Sequence, residues 1–414
     1  SGTVQVLYFP ESGSFTVTGN SILPAPGGTT ISTAGNYYTI YANLTAQQKN
    51  NIISSNSFIV PAGVSAGASY GCFIDAQNES KNCSFTISGN TITGTGENAA
   101  VTTEAAAVKI IDEVADLAEK NTWNISSNTL TGTGKAAQVA GNSYGLYLAG
   151  NQLSVFTVSG NLIYGCGEGI EGGTKTRAAE AYGLYYFHST AGAAVINIID
   201  NNITGLNRRA KDTGVDESAG LYCTSLRGDS INTISGNTIC GQLTDSEASK
   251  DVEACYLGFG ENTTCTMSGN TLKGQEGISV DSSGDVVGLF LYASGSNIYK
   301  LTVNNNKISG GYKGLTIQGL YAQWNNWNPA NIFSITDNEI AGGLSGAEYT
   351  ESCGLTLSGI QKLLFQVIQL QAQKQIERIL RYSEYTVVPV GQTVLSRTAV
   401  SSGIQFLQAG IIRW

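Results

Sequence analysis

One histidine, one methionine and six prolines stand among 414 residues, and only 13% of the chain is charged. Each scarcity closes a class of function. With His188 the only histidine, no Ser/His/Asp relay is recognisable from spacing, and no cysteine or histidine group has zinc-ligand intervals. His188, in Phe187-His-Ser-Thr, reads as a surface residue of a loop or strand. Positive charge is also short: 22 Lys and Arg against 31 Asp and Glu leave a net charge of −9. That sign is wrong for displacing counterions from phosphates, so no nucleic-acid partner is expected. No run of about 18 apolar residues occurs, and no membrane span is expected. What is abundant is Gly (51 residues), Ser, Thr and Asn rather than the Ala, Glu, Lys and Leu of coiled coils. With 41% apolar residues and 20 tyrosines the chain has enough apolar surface to fold, and the balance suits short strands joined by tight turns. It opens Ser-Gly-Thr without an initiator Met, as a processed or trimmed product does.

One pattern recurs: apolar, any, apolar, two small polar residues, Asn, any, apolar. Phe85-Thr-Ile-Ser-Gly-Asn90-Thr-Ile92 and Phe156-Thr-Val-Ser-Gly-Asn161-Leu-Ile163 are clear copies. The motif asparagines are Asn20, Asn56, Asn90, Asn128, Asn161, Asn201, Asn237, Asn270, Asn306 and Asn338, separated by 36, 34, 38, 33, 40, 36, 33, 36 and 32 residues. Such spacing is a repeat-protein period. Upstream of most of them lies a second element, seen in Tyr144-Gly-Leu-Tyr-Leu148, Tyr182-Gly-Leu-Tyr-Tyr186 and Ala219-Gly-Leu-Tyr-Cys223.

Alternation inside Phe85-Thr86-Ile87-Ser88 turns the apolar pair to one face and the hydroxyls to the other. Ser-Gly-Asn then bends the chain, because Gly or Asn accepts a positive φ. Three strands and three bends per unit predict an all-β fold, a right-handed parallel β-helix of about ten coils over residues 1–359. Equivalent asparagines would stack about 4.8 Å apart as a buried ladder, in a solenoid roughly 50 Å long. Glu97–Lys120 and Arg208–Glu217 would bulge as loops, the first with an amphipathic helix over Ala105–Leu117.

After Asn338 the composition changes: residues 339–414 hold no Asn and nine Gln. Ile360, Leu364, Ile368, Ala372, Ile376 and Leu380 recur every fourth residue, which predicts a helix over 360–382, followed by strands. Residues 360–414 carry six basic and two acidic side chains, a net of +4 against −13 for the rest. This segment either caps its own solenoid, the ordinary means of managing a sheet edge, or docks on another copy by charge attraction. Lys374, Arg378, Arg381, Arg413 and Trp414 are the assembly candidates.

Nothing in the sequence calls for a cofactor or a metal. Glu168, Glu171, Glu180, Asp212, Asp216 and Glu217, with Arg208 and Arg209, are acidic loop residues of two neighbouring units. They would serve glycan cleavage if two carboxyls met at the right separation, and otherwise form a solvated face. Cys72 with Cys83, and Cys255 with Cys265, are near enough in sequence for disulfides, whereas buried thiols are the alternative. Trp324 and Trp327, in Gln323-Trp-Asn-Asn-Trp-Asn328, offer sugar-stacking faces if exposed and coil packing if not.

The Phe-Thr-Ile-Ser-Gly-Asn-Thr-Ile-Thr-Gly unit and its Tyr-Gly-Leu-Tyr partner resemble the parallel β-helix repeats of bacterial surface proteins, autotransporter passengers and polymorphic outer-membrane proteins among them. The resemblance covers residues 1–359. It implies export, display at the cell surface and adhesive or scaffold roles. The chain departs from those families in its eight cysteines and in lacking a long barrel region. The expectation is an extracellular or cell-surface, non-enzymatic structural or adhesive protein. It would self-associate head-to-tail into a fibre or as a trimer, and its partners would be glycans or a host surface. A tailspike-like glycan-binding or glycan-cleaving protein is the alternative.

Overall fold

The computed structural model describes residues 2–371 and 386–387, apart from short stretches at 11–13, 24–30, 45–48, 77–81, 113–119, 151–152, 189–193, 213–216, 249, 261, 278–279, 296 and 361. The chain winds as a parallel β-solenoid, each strand pairing with its equivalents one coil before and after. Val155–Ser159, for example, lies between Thr122–Ser126 and Val195–Ile199. Thirty strands belong to this continuous set. A second sheet of seven short strands, Gln138–Val139 and Thr176–Ala178 among them, adds a face that the three-strand reading does not contain.

Register makes the interior a set of columns. The Leu of Gly-Leu-Tyr stacks as Ile40, Cys72, Val108, Leu146, Leu184, Leu221, Cys255, Leu289, Leu320 and Leu355. Phe85, Trp123 and Phe156 stack likewise, with the first two rings 3.8 Å apart. A single coil buries nothing alone, so stability comes from the neighbours.

All ten motif asparagines join one ladder. The Oδ1 of each rung after the first accepts both the backbone N–H and the Nδ2 of the preceding rung, from Asn20–Asn56 to Asn306–Asn338, at 2.9–3.2 Å. Ten rungs enclose nine full turns. The residue before each rung has φ between 52° and 68°, and it is Ser55, Ser127, Asp200, Asn305 or Asp337 as often as Gly. The Gly of Gly-Leu-Tyr answers to space instead. A Cβ on Gly145 would lie 2.5 Å from Ile163 Cγ2 and 2.7 Å from the Gly183 carbonyl oxygen.

Three expectations are corrected. Ala105–Asp112 is a strand, not a helix, in register with Ser69–Asp75 and Asn142–Gly150; residues 113–117 lie outside the described residues. Ala106-Ala107-Val108-Lys109-Ile110 is the Tyr-Gly-Leu-Tyr-Leu element with all five residues replaced, and pairing with two neighbours overrides local periodicity. Of the helix expected over 360–382, Lys362–Gln371 is likewise a strand, on the open edge of Ile332–Ser358, and 372–382 lie outside the described residues. A four-residue apolar spacing suits both periods, since four is a multiple of two, and the available edge decides. Finally, no disulfide links any of the eight cysteines. Cys72 and Cys255 fill the Leu column and Cys265 lies between Asn232 and Leu301 in the Phe column, so register rather than closeness in sequence sets their neighbours.

Candidate functional site

Between the core-facing Leu146 and Leu148, Tyr147 points outward. Register repeats that position in every coil, giving an outward column of Tyr8, Tyr41, Phe73, Lys109, Tyr147, Tyr185, Tyr222, Tyr256, Phe290 and Tyr321. A second column stands beside it, formed by Tyr38, Tyr70, Ala106, Tyr144, Tyr182, Ala219 and Glu253. Tyr70, Tyr144 and Tyr182 are buried in an apolar cluster separate from the main core.

Within a column the rings stack, as with Tyr147 on Tyr185 at 5.2 Å and Tyr222 on Tyr256 at 4.4 Å. Between columns they meet edge-on, as with Tyr182 and Tyr185 at 67°. What this flank turns outward is therefore ring edges and hydroxyls, with a face at the Tyr256–Phe290 break, where the rings stand at 88°. Aromatic surface left half-buried in one continuous register is a candidate interaction site.

Two residues before the buried column runs a polar row, Glu104, Asn142, Glu180, Glu217 and Asp251. Asn142 Nδ2 donates to Glu180 Oε2 at 2.6 Å, and Tyr182 donates to the same oxygen at 3.1 Å. Glu104 accepts from the Tyr70 hydroxyl and, at 2.5 Å, from Lys109 Nζ. Burial first, then the Glu180 and Glu217 carboxylates, pushes the Tyr182 phenol up; burial and then Glu217 does the same to Tyr222. Both stay neutral donors at physiological pH. A cavity of about 290 Å³ opens at the row, lined by Thr103, Glu104, Gly141, Asn142 and Tyr144.

The sequence-derived candidates separate. The ten asparagines form the internal ladder and reach no surface site. Glu180 and Glu217 lie one coil apart in the polar row, while Glu168 and Glu171 pair with Arg209 at 3.0 and 3.3 Å elsewhere on the coil. Asp212 ends the strand Ala210–Asp212, and Asp216 lies outside the described residues. Trp324 is no sugar platform: it is 2% exposed, packed on Phe333 and Tyr299, with Trp327 half-buried against it. His188 is not on the surface but 1% exposed, and burial and then Arg227 push its pKa down to about 4. Lys374, Arg378, Arg381, Arg413 and Trp414 fall outside the described residues. Among the described residues no group of three or more His, Cys, Asp or Glu is placed to hold a metal ion. The aromatic flank escaped the sequence reading although its signal was present, in the second Tyr of each Tyr-Gly-Leu-Tyr, on the opposite parity from the core-facing Leu.

No protein-family model matches the chain, and no curated protein is similar to it. Among solved structures it is similar to the Dettilon tailspike protein (gp208), at 11% identity and a TM-score of 0.36, covering 80% of this chain and 56% of that one. The chain thus spans little more than half the length of that tailspike. The likeness of its repeat to bacterial surface proteins stands at the level of the parallel β-solenoid.

Proposed function

We propose that this protein is a non-enzymatic adhesive β-solenoid, acting outside the cell or at its surface, and that the aromatic–carboxylate flank is its ligand face. The observation that carries the reading is the outward column from Tyr8 to Tyr321, kept in register coil after coil although the interior does not require it. Carbohydrate chains suit such a flank. Their apolar C–H faces rest on ring edges, while hydroxyls meet the phenols, the Asn142 amide and the row of carboxylates. The coil spacing of about 4.8 Å offers an equivalent set of partners at each step.

Glycan-array screening followed by calorimetry of the best ligand tests this. Tyr185→Phe/Tyr222→Phe, which keeps the stack and removes two hydroxyls, is expected to weaken binding at least fivefold with an unchanged circular dichroism spectrum. Equal affinity, or the absence of any glycan ligand, overturns the reading. Head-to-tail assembly belongs to the same proposal. It is supported by the division of charge along the sequence, a net of +4 over residues 360–414 against −13 over the rest. Filaments in negative stain that shorten at high salt support it, and monodisperse rods at every salt concentration refute it.

Glycan cleavage has one observation in its favour. Burial holds the Glu253 carboxyl well above the usual range one coil from Glu217, and hydrolysis uses two such unlike carboxyls. Release of reducing ends that is lost in Glu253→Gln would decide for it.

A further inference from the structure

A different strand of each coil carries a second outward surface. Strands of the Phe-Thr-Ile-Ser set turn their first and third residues inward and their second and fourth outward, so ten stacked strands present two outward rows. One row runs from Thr16 through Thr157 and Thr233 to Ser334, the other from Thr18 through Ser159 and Ser235 to Thr336. All twenty side chains are half-buried or exposed; fifteen are Thr or Ser, and the rest are Ile52, Asn124, Asn197, Ile199 and Asn304.

Three properties set this face apart. None of the twenty is charged, although the outward column of the seven-strand sheet carries Arg177, Lys211, Glu247 and Asp281, and the aromatic flank runs beside carboxylates. Apart from Thr18 and Ser54, which bond each other at 3.1 Å, none of the fifteen hydroxyls hydrogen-bonds to a described residue. Buried Ser69 and Ser143, by contrast, each donate to a carbonyl at 2.6 Å. Register also passes through all ten strands without a slip, whereas the strands of the aromatic column shift between Cys223 and Leu226. Each member of the second row stands two residues before a ladder asparagine, as Ser159 does before Asn161, so the ladder that locks the bends also locks the rows.

The result is a lattice of free hydroxyls, about 4.8 Å apart along the axis and about 6.6 Å apart across it at two residues per step. Threonine holds its hydroxyl in few rotamers, and every hydroxyl both donates and accepts. The complementary partner is uncharged, donates and accepts at every site, and repeats in two directions at close to these intervals. Hexagonal ice meets those terms, since its oxygens repeat along a slightly below the strand spacing and along c somewhat above the two-residue step. Many equal contacts then act together, and the entropy of association is lost once for the whole face.

We propose that the hydroxyl face from Thr16 to Thr336 binds ice, an activity separate from the glycan reading of the aromatic flank.

Partition of the full chain into slowly grown ice, with ice recrystallisation as a second readout, tests the assignment. The protein is expected to be enriched in the ice fraction and to halt recrystallisation, where lysozyme is excluded and does not. Thr157→Tyr/Thr233→Tyr sets two rings on the lattice at positions that lose no hydrogen bond. It should raise the concentration that halts recrystallisation at least tenfold, with an unchanged circular dichroism spectrum. Glu97→Tyr/Ala100→Tyr, the same two rings at exposed positions outside the hydroxyl face, should leave that concentration unchanged. Asn197→Thr/Ile199→Thr fills the break in the lattice and should lower it at least twofold, a gain that an unfolded variant does not give. Exclusion of the unaltered protein from ice overturns the activity. Equal loss in both tyrosine pairs, or in neither, overturns the location. Retention on crystalline chitin or cellulose without uptake into ice gives the face to a crystalline glycan and overturns the ice reading.

Discussion

Replacing Asn161 by alanine removes one rung from the middle of the ladder. Its Oδ1 accepts from Asn128 N and Nδ2, both at 2.9 Å, and its Nδ2 donates to the Ile125 and Ser159 carbonyls and to Asn201 Oδ1. Asn128 Nδ2 keeps its bond to Ile87, and Asn201 Oδ1 keeps the Asn161 backbone N–H. The Asn128 N–H is orphaned inside the protein, and the Ile125 carbonyl loses a donor. At about 1–3 kcal/mol for each of these two buried groups, the cost is about 2–6 kcal/mol. Asn20→Ala is the internal control. Asn20 is exposed at the end of the stack and donates to Thr18 and Asn56, with no earlier rung, so its loss should cost under about 1 kcal/mol. Urea unfolding followed by circular dichroism measures both. Similar costs for the two variants, or under about 1 kcal/mol for Asn161→Ala, would refute the view that the ladder's bonds are a structural necessity. Asn161→Asp gives a further test: protonation at acid pH restores a donor, so its deficit relative to wild type should shrink as pH falls.

Ser127 holds φ at 55°, where L-residues are strained, so Ser127→Gly should raise stability by up to about 1 kcal/mol, read as a higher melting temperature. At Gly183 a Cβ would sit 2.6 Å from both the Gly220 carbonyl oxygen and Ile203 Cγ2, and Gly183→Ala should destabilise by about 3 kcal/mol or more in the same assay. His188 is buried with neither ring nitrogen bonded, and its pKa falls from the usual 6.5 to about 4. The unfolded chain takes up that proton first, so stability should drop by about 3 kcal/mol as pH falls from 6.5 to 4, and His188→Leu should remove that part of the pH dependence. Burial pushes the Cys72, Cys240 and Cys265 thiols up to about 12, so native protein should resist iodoacetamide at pH 7.5 at these positions. After unfolding without reductant all eight cysteines should label, and a smaller count would reveal disulfides.

The ladder was legible because asparagine recurs at one place in the unit and little else satisfies a buried bend with the same set of donors and acceptors. The φ rule was legible at Gly89 and Gly160, but not at Ser127 or Asp200, where stacking imposes a strained backbone on ordinary residues. Ala105–Asp112 was misread because all five motif residues are replaced, leaving pairing with its neighbours as the only cue. For Trp324 the sequence left exposure and coil packing both open, and only the fold shows its ring turned inward onto Phe333.

By itself the sequence determined the coil: its period, its alternating faces and the residue at each bend, because these follow from backbone geometry acting over a few neighbouring residues. Tertiary structure alone decided which side chains from different coils share a surface. Lys109 becomes a guest among Tyr70, Phe73 and Tyr147 only when register sets residues more than thirty positions apart side by side.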